Sequence, residues 1–316
     1  MFVFEPIPDL SAFGDATEAR ASLTARALGA YLGVAVGDAL GATVELMTPR
    51  EIRRRYGTHR DIVGGGWLRL RAGEVTDDTT MSLALGQSIL ERGVVDAEAV
   101  ADAFSEWMRA KPVDCGNTVR RGISHYRRTG ENRVPENVND GGNGACMRCL
   151  PVALSYLGAP PEAVSEATQV QSHVTHNSPL SDLGTITTVR MVQCALLQGG
   201  RAGLKEIADS LVAIESGFAY SNKRMENPSG FIPETMRTVF QSLFATHDFE
   251  GALTDVVNRG GDADTTGAIL GMIAGALYGI SAIPKRWINV LDTEVRNACF
   301  EQALALLRLS PYCRGL

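Results

Sequence analysis

Two short acidic segments carry the residues of this chain that are best suited to chemistry. Thr76-Asp77-Asp78-Thr79 and Asp262-Ala263-Asp264-Thr265 are near copies of one another, and each is followed by a long apolar run rich in small residues. Asp and Thr favour helix N-termini, where their oxygens meet free N–H groups and the positive end of the helix dipole. If both apolar runs are core helices, their acidic ends can meet in space.

Carboxylates that meet in this way repel one another unless cations neutralise them. A donor set made only of Asp and Thr oxygens suits a hard ion, Mg²⁺ or Mn²⁺, rather than zinc. One such segment alone would be interpreted as a helix cap, but the motif occurs twice, and a cap does not need two acids and two threonines. We therefore predict that the pair binds metal, and the spacing leaves open whether one ion or two are bound.

Two glycine-containing turns are weaker candidates for a ligand site. Asp114 lies in a turn ahead of Gly116-Asn117, where its ordinary role is an Asx-turn or the N-cap of a helix beginning near Thr118. Gly141–Ala145 leads into a helix expected near Cys146, and such glycines can form an anion-binding nest. No strand precedes these glycines and no Gly-Lys-Thr follows, so neither nucleotide fingerprint is present. A plain loop is the alternative.

Single histidine and aromatic residues add further candidates. His173 and His176 have helical spacing, but no third nitrogen ligand is evident, so we favour a hydrogen-bonding His176 near the site over a metal pair. Phe231, in a Gly/Pro-rich loop, could stack on a base ring or be a partly buried loop aromatic. No Gly-x-Ser-x-Gly elbow and no nucleophile with an adjacent base is present, so the chemistry would rest on metal and carboxylate.

The composition is typical of a globular protein. The chain has 316 residues, a formal net charge of −6, 45% apolar and 21% charged residues, and the acidic balance gives no reason to expect nucleic-acid binding. Its six cysteines are expected to be reduced thiols, because nothing indicates secretion. Cys146 and Cys149 lack a second pair of ligands at a zinc-like distance. The N-terminus does not resemble a signal peptide, and the uncharged stretch 265–284 is rich in glycine, which favours a buried helix over a membrane span.

The pattern of apolar residues predicts an all-α fold. We interpret residues 1–22 as an N-terminal extension and 23–316 as a single domain. Ala25–Val36 is apolar nearly all round, which predicts a central helix, and Gly37–Gly41 is expected to break it. The long loops 130–144 and 219–233 are expected to be functional. Further helices are predicted at 79–92, 96–110, 117–128, 145–157, 162–172, 182–198, 203–216, 233–245, 249–257, 265–280 and 291–308.

Several motifs together resemble the ADP-ribosylglycohydrolase family, over the region from about Thr24 to about Leu307. They are Gly37-Asp38-Ala-Leu-Gly41, Thr76-Asp77-Asp78-Thr79, Gly142-Asn143-Gly144-Ala145-x-Met147-Arg148, Thr175-His176 and Gly261-Asp262-Ala263-Asp264-Thr265-Thr266-Gly267. The stretches 65–70 and 111–122 are similar to the dinitrogenase reductase-activating subfamily of nitrogen-fixing bacteria.

The resemblance implies a single helical domain with two Mn²⁺ or Mg²⁺ ions at the base of a cleft. The implied metal ligands are Thr76, Asp77, Asp78, Asp262, Asp264 and Thr265. Asp114 matches the acid implicated in catalysis, which replaces its ordinary role as a cap, and Glu45 matches a glutamate close to the metals. Positions that line the ADP-ribose site are matched by Gly116, Asn117, Gly142, Asn143, Gly144 and His176. Phe231 stands where the subfamily tends to carry a tyrosine that stacks on adenine, and Ser178 replaces a second histidine.

The implied reaction is hydrolysis of the N-glycosidic bond between ADP-ribose and an arginine of a protein, with the nitrogenase iron protein as the expected target. We expect a cytoplasmic monomer that binds no nucleic acid, and the resemblance allows a nitrogen-status signalling protein at the membrane as a further partner. Two alternatives stay open: a relative acting on another protein arginine, on serine or on a small ADP-ribosyl compound, and a non-catalytic ADP-ribose-binding module. An isoprenoid synthase would need a DDxxD spacing, which Thr80 and Met81 after Asp77-Asp78-Thr79 do not provide.

Overall fold

The structure is a computed structural model that describes residues 16–221 and 223–314. Within these residues it contains α-helices and short 3₁₀ turns but no strand, which confirms the all-α prediction. The helices are α1 (Ala16–Ala42), α2 (Pro49–Tyr56), α3 (Asp77–Arg92), α4 (Ala97–Arg109), α5 (Asn117–Thr129), α6 (Leu150–Ser155), α7 (Pro161–His173), α8 (Pro179–Leu196), α9 (Gly200–Ile214), α10 (Ile232–Ala245), α11 (Phe249–Val257), α12 (Ala263–Tyr278), α13 (Lys285–Val290), α14 (Thr293–Leu309) and α15 (Pro311–Arg314).

Helices α1 and α12 form the centre of the molecule as a closely packed antiparallel pair. The contacts of α1 with α12 run in reverse order along the two helices: Gly29 with Gly275, Gly33 with Gly271, Gly37 with Gly267 and Gly41 with Ala263. A Cβ atom on Gly33 or Gly37 would lie 2.0 Å from a backbone carbonyl oxygen of α12. Glycine at every fourth position therefore lets the two backbones touch along one face. This contact fixes the N-terminus of α12 beside the C-terminal turn of α1.

The predicted break at Gly37–Gly41 is wrong, because α1 continues without interruption to Ala42. Glycine costs stability in a helix interior, and a cluster of glycines in sequence therefore indicates a helix end. In this helix that cost is offset by the close packing on α12, which a larger residue would prevent.

The N-terminus of α3 is fixed by Asp38, a fully buried residue of α1. Its Oδ1 accepts a hydrogen bond from the backbone N–H of Thr76 at 2.9 Å, and its Oδ2 accepts from the N–H and Oγ1 of Thr79 at 3.1 and 2.5 Å. These donors are free because they belong to the first turn of a helix. Helix α1 thus positions both acidic motifs, α12 through backbone contact and α3 through one side chain.

Most other predicted helices agree with the observed ones within a few residues, with two informative exceptions. The predicted helix 145–157 is reduced to α6, because residues 143–149 form turns in which the Asn143 carbonyl accepts from the N–H groups of Cys146 and Met147. The glycines at 141–144 therefore do not lead directly into a helix. Helix α2 was not predicted, although Thr48 and Glu51 form a capping box around it with Pro49 in the first turn.

The start of the first helix also differs from the prediction. Helix α1 begins at Ala16, earlier than the predicted start of the helical region, and most of the predicted extension 1–22 lies outside the described residues. The uncharged stretch that begins at Thr265 belongs to α12, which is buried over most of its length, as predicted. Among the helices in the described part of the chain, none is both long and apolar enough to cross a membrane.

Candidate active site

The acidic ends of α3 and α12 meet at Asp78, as the sequence predicted. Its Oδ2 accepts a hydrogen bond from Thr76 Oγ1 of the same motif at 3.1 Å and lies 3.4 Å from Thr265 Oγ1 of the other motif. The side chain is 1% exposed. The other carboxylate oxygen, Oδ1, is buried and has no hydrogen-bond partner within the described structure. A buried carboxylate oxygen without a partner costs free energy, and a bound cation would satisfy it.

The surrounding carboxylates are buried close to one another, and this raises their pKa values. Burial raises the pKa of Asp77 to about 7, with a further contribution from the charges of Asp114 and Asp38. Burial and neighbouring carboxylates raise the pKa of Asp78 and of Asp264 well above the ordinary value. A bound hard cation would offset the repulsion among these carboxylates with its positive charge. It would also lower their pKa values, because a nearby positive charge stabilises the ionised form.

A second acidic group adjoins the first at Asp264. One carboxylate oxygen from each of Glu45, Asp114 and Asp264 lies within 4.8 Å of the others. Burial raises the pKa of Glu45 to about 7, although a hydrogen bond from Trp67 opposes this shift. Both Glu45 and Asp114 are partly exposed, whereas Asp264 is buried. The solvent exposure of the carboxylates therefore increases across the site, from the buried Asp78 and Asp264 to the partly exposed Glu45 and Asp114.

These carboxylates lie at one side of a cleft of about 510 Å³. Besides the carboxylates, its walls are formed by the start of α5, the glycine loop before α6, the loop before α10 and the start of α12, together with Leu46 and His176. The lining residues are Glu45, Leu46, Asp77, Asp114, Gly116, Asn117, Thr118, Val119, Gly142, Asn143, Gly144, Met147, His176, Asn227, Pro228, Ser229, Gly230, Gly261, Asp262, Asp264 and Thr265. Thr76 and Asp78 are buried next to this lining, in contact with Thr265.

The turn that carries Asp114 connects α5 to the acidic motif of α3. The N-cap of α5 is Gly116, which has no side chain, and Asp114 Oδ1 instead accepts from the adjacent Cys115 N–H at 2.8 Å. The alternative in which Asp114 caps α5 is therefore wrong. The Gly116 N–H donates to Asp77 Oδ2 at 3.2 Å, so the turn is fixed against α3. Without a side-chain cap, the first N–H groups of this 13-residue helix remain available to an anion in the cleft.

His176 is held as a neutral side chain with one defined tautomer. Arg148 Nη2 donates to Thr175 Oγ1 at 2.8 Å, so the Thr175 hydroxyl is free to donate to His176 Nδ1 at 2.7 Å. We therefore assign the proton of the neutral ring to Nε2, next to Gly142 and Gly144, where a Cβ atom would lie 3.0 Å from that nitrogen. Burial, followed by the charges of Arg148 and Arg121, lowers the pKa of His176 to about 3. His176 therefore offers an N–H donor to the cleft.

The second acidic motif is connected to the glycine loop by Asn143. Its Nδ2 donates to Asp262 Oδ2 at 2.6 Å and to Thr235 Oγ1 at 2.9 Å, and its backbone N–H donates to the Gly230 carbonyl at 3.0 Å. One side chain thus joins α12, α10 and two loops at the cleft wall.

The comparisons with known proteins agree on one family. A profile described as ADP-ribosylglycohydrolase matches residues 19–313. The chain belongs to the ADP-ribosylglycohydrolase family. It is 47% identical over 285 residues to the ADP-ribosyl-[dinitrogen reductase] glycohydrolase of Rhodospirillum rubrum, an alignment that covers 90% of this chain and 96% of that protein.

Two further relatives extend this comparison. The ADP-ribosylarginine hydrolase Tri1 of Serratia proteamaculans (strain 568) is 31% identical over 288 residues, covering 86% of this chain and 76% of that protein. A solved structure described as an ADP-ribosylglycohydrolase-related protein complex superimposes with a TM-score of 0.82 at 32% identity, covering 92% of this chain and 99% of that chain. The fold is therefore that of the ADP-ribosylglycohydrolases over almost the whole length.

Of the residues predicted for the site, only Phe231 lies outside the cleft lining and the buried group beside it, and the two other residues considered in the sequence, Ser178 and His173, also lie elsewhere. Phe231 is 42% exposed and packs its ring against Gly141, beside the cleft but outside its lining. Ser178 is buried outside the lining, and its hydroxyl has no partner in the described part of the protein. His173 pairs with Asp182 at 2.9 Å and lines a different cavity.

Three residues that organise the ADP-ribosylglycohydrolase site were not assigned roles from the sequence. They are Asp38, which holds the start of α3, Trp67, whose Nε1 donates to Glu45 Oε2 at 2.5 Å, and Arg148, which fixes the tautomer of His176 through Thr175. All three lie inside motifs or stretches quoted for the resemblance, Trp67 within 65–70, and the resemblance is the signal that the sequence offers for them. Their contacts join segments distant in sequence, which spacing alone does not show.

Proposed function

We propose that this protein is a metal-dependent hydrolase that removes ADP-ribose from a modified arginine of a protein. The observation that carries the proposal is the junction of the two acidic motifs at Asp78, whose buried Oδ1 has no partner in the described structure, beside a cleft. Two relatives named for hydrolysis of ADP-ribosyl-[dinitrogen reductase] and of ADP-ribosylarginine support the reaction.

The donor set fits two hard divalent ions, Mn²⁺ or Mg²⁺. Six oxygen-bearing residues would hold them: Thr76, Asp77, Asp78, Asp262, Asp264 and Thr265. When bound, the ions would supply positive charge that orients the ribose hydroxyls and balances negative charge formed during the reaction. A carboxylate oxygen of Glu45 lies within 4.8 Å of one of Asp264, so Glu45 would add negative charge beside the metal ligands from the solvent side.

The walls of the cleft suit the anionic half of the substrate. The N–H groups at the start of α5 and those of Gly142 and Gly144 would bind the pyrophosphate, because these positions present donors without a competing side chain. His176 Nε2–H would donate one further hydrogen bond to ADP-ribose. Phe231, half-exposed beside the glycine loop, would stack on the adenine ring.

Asp114 would act as the general base of the reaction. Its carboxylate lies close to Glu45 and Asp264 and is partly exposed to the cleft, where a substrate and a water can reach it. Water attacks the anomeric carbon, the bond from that carbon to the guanidine nitrogen breaks, and Asp114 accepts the proton of the water. The nitrogen keeps the electron pair of the broken bond, so arginine leaves as a neutral guanidine and then takes the proton from Asp114, which gives ADP-ribose, protonated arginine and the regenerated Asp114 carboxylate. Nearby carboxylates would stabilise positive charge at the anomeric carbon.

The proposed physiological target is the nitrogenase iron protein. The support is the identity of 47% to the Rhodospirillum rubrum enzyme, whose name states that substrate, across 96% of that enzyme. We further propose that the protein acts as a cytoplasmic monomer, with a nitrogen-status signalling protein as the partner that would bring it to a membrane.

A substrate panel tests the proposed linkage. Purified protein with Mn²⁺ is incubated with an arginine-ADP-ribosylated protein, a serine-ADP-ribosylated peptide and a free ADP-ribosyl compound, and released ADP-ribose is measured by mass spectrometry. We expect release from arginine to be fastest. Faster release from serine or from the small compound would contradict arginine specificity and indicate that the faster linkage is the substrate.

Asp114→Asn separates catalysis from metal binding in the same assay. We expect normal metal binding, and a loss of about 10²–10⁴-fold in kcat, the range for a missing general base. Near-normal turnover by the variant would contradict the role of Asp114. Wild-type protein that binds ADP-ribose with metal but releases none from any substrate would indicate the binding module instead.

A further inference from the structure

The cleft has an apolar rim on the side where Glu45 lies. Leu46, which lines the cleft, is 65% exposed, and Trp67, which lies just outside the lining and donates to Glu45, is 51% exposed. Leu46 has a φ of 63°, a left-handed conformation that is unfavourable for leucine. Its N–H donates to the Gly261 carbonyl at 2.8 Å, and the Gly261 N–H donates to the Met47 carbonyl at 3.0 Å, so this conformation is fixed against the second acidic motif. Backbone strain that is held in this way is frequent at functional sites.

Trp67 is presented on a small closed loop. Gly65 and Leu70 exchange two backbone hydrogen bonds, at 2.7 and 2.9 Å, and the loop packs on the end of α1, where a Cβ on Gly66 would lie 2.3 Å from the Ala42 carbonyl oxygen. The indole N–H is used by Glu45 at 2.5 Å. The polar atom of the ring is thus satisfied, while half of the side chain stays exposed beside a carboxylate.

An indole next to a carboxylate is a binding arrangement for an organic cation. Tryptophan is the most favourable side chain for cation–π contact, and a planar guanidinium can also donate two parallel hydrogen bonds to a carboxylate. Glu45 lies within 4.8 Å of Asp114 and Asp264, so this arrangement borders the group of carboxylates where the glycosidic bond would be cleaved. The anionic half of the substrate has donors elsewhere, at the start of α5 and the glycine loop.

We propose that Trp67, Glu45 and Leu46 form the subsite for the arginine half of the substrate. Trp67 contacts the guanidinium, Glu45 pairs with it, and Leu46 packs against the alkyl chain. This inference rests on the proposed function, because it names what recognises the leaving group of that reaction. It makes Trp67 a residue that determines specificity for arginine.

The test uses agmatine, a decarboxylated arginine, as a probe of the subsite and ADP-ribose as a probe of the rest of the cleft. Binding of each to the metal-loaded protein is measured by ligand-observed NMR titration, which does not require turnover, and each is also assayed as an inhibitor. The variants are Trp67→Ala, Trp67→Phe and, as a control at an exposed apolar residue outside the cleft lining, Val94→Ala.

We expect Trp67→Ala to weaken agmatine binding and to raise KM for the arginine-linked substrate by about 3- to 30-fold, the range that a cation–π contact provides. ADP-ribose affinity should change less than 2-fold, Trp67→Phe should retain most agmatine binding because it keeps an aromatic face, and Val94→Ala should match wild type.

Unchanged agmatine binding in Trp67→Ala would overturn the inference. Equal losses of agmatine and ADP-ribose affinity in both Trp67 variants would also overturn it, because Trp67 would then only hold Glu45. Wild type that binds agmatine but does not cleave the arginine linkage would contradict the proposed function and leave the subsite standing.

Discussion

The two acidic motifs have nearly the same sequence, but the protein holds them in different ways. The first motif, at the start of α3, is fixed by the fully buried Asp38, which accepts hydrogen bonds from Thr76 and Thr79. The second motif, at the start of α12, is fixed mainly by backbone contact, since α12 touches α1 at glycines along its length. Side-chain hydrogen bonds join the second motif to Asn143, through the partly exposed Asp262, and to Asp78 of the first motif, through Thr265.

The two motifs are therefore alike in the chemistry of their ligand atoms but differ in what fixes their position. Each motif supplies the same kind of oxygen donor, and helix α1 places both of them, one by a polar side chain and the other by shape. Loss of a polar contact to the first motif should therefore have a larger effect than loss of a polar contact to the second, where the packing of α12 remains.

The largest effect is expected from Asp78→Ala, because Asp78 joins the two motifs. Loss of metal binding should remove several kcal/mol of charge stabilisation from the transition state, which corresponds to a fall of about 10³-fold or more in kcat/KM. Calorimetric metal titration and ADP-ribose release measure the two losses together. Asp96→Ala is the matched control, since Asp96 caps α4 by accepting from Ala99 N–H at 2.9 Å. It should lower stability by about 1 kcal/mol and leave activity unchanged.

Asp38→Asn should have the next largest effect. An amide cannot accept all the hydrogen bonds that the carboxylate accepts at the start of α3, and its own N–H groups would face donors. We expect metal affinity to fall about 10- to 100-fold, as for other residues that orient ligands. The free energy of unfolding should also fall by about 1–3 kcal/mol. Calorimetry and urea denaturation provide the two measurements. Unchanged metal affinity would show that Asp38 does not position α3.

Asn143→Ala should weaken metal binding less than Asp38→Asn, by at most about 10-fold. The variant removes one hydrogen bond from Asp262, and water can replace it because Asp262 is partly exposed. Metal affinity, measured without substrate, is the readout, since Asn143 also lines the cleft. A loss equal to that of Asp38→Asn would contradict the difference between the two motifs.

The sequence predicts the ligand residues of this site better than it predicts the residues that position them. The acidic residues could be predicted to meet because two similar helix starts imply a shared function, and their oxygen chemistry implied the kind of metal. The role of Asp38 could not be predicted, because its partners lie on another helix. The glycines of α1 showed their four-residue spacing in the sequence, but only contact with α12 shows that they continue the helix. Trp67 gave no periodic signal, and its role depends on a loop closed by Gly65 and Leu70.

The smallest effect concerns the pH dependence of stability without metal. Burial raises the pKa of Asp77 to about 7, so the folded protein holds a proton that the unfolded chain has released above about pH 4. Stability of the metal-free protein should therefore fall as the pH rises through this range, by about 1 kcal/mol between pH 6 and pH 8 from Asp77, and Glu45, whose pKa is also raised to about 7, adds a fall of the same sign.

Thermal unfolding measured at these two pH values in EDTA, and again with Mn²⁺, tests this prediction. Each 1 kcal/mol of this fall corresponds to about 2 °C in Tm for a domain of this size, and Mn²⁺ should raise Tm more at pH 8 than at pH 6. A Tm increment from Mn²⁺ that is larger at pH 6 would contradict it.

The most direct test of the central claim is release of ADP-ribose from an arginine-ADP-ribosylated protein, measured with Mn²⁺ or Mg²⁺ and again with EDTA. If the two acidic motifs form one metal-dependent site, release should occur with metal, stop with EDTA and return when metal is added back. Release that continues at the same rate in EDTA would contradict the account, as would its absence from protein shown to have bound metal.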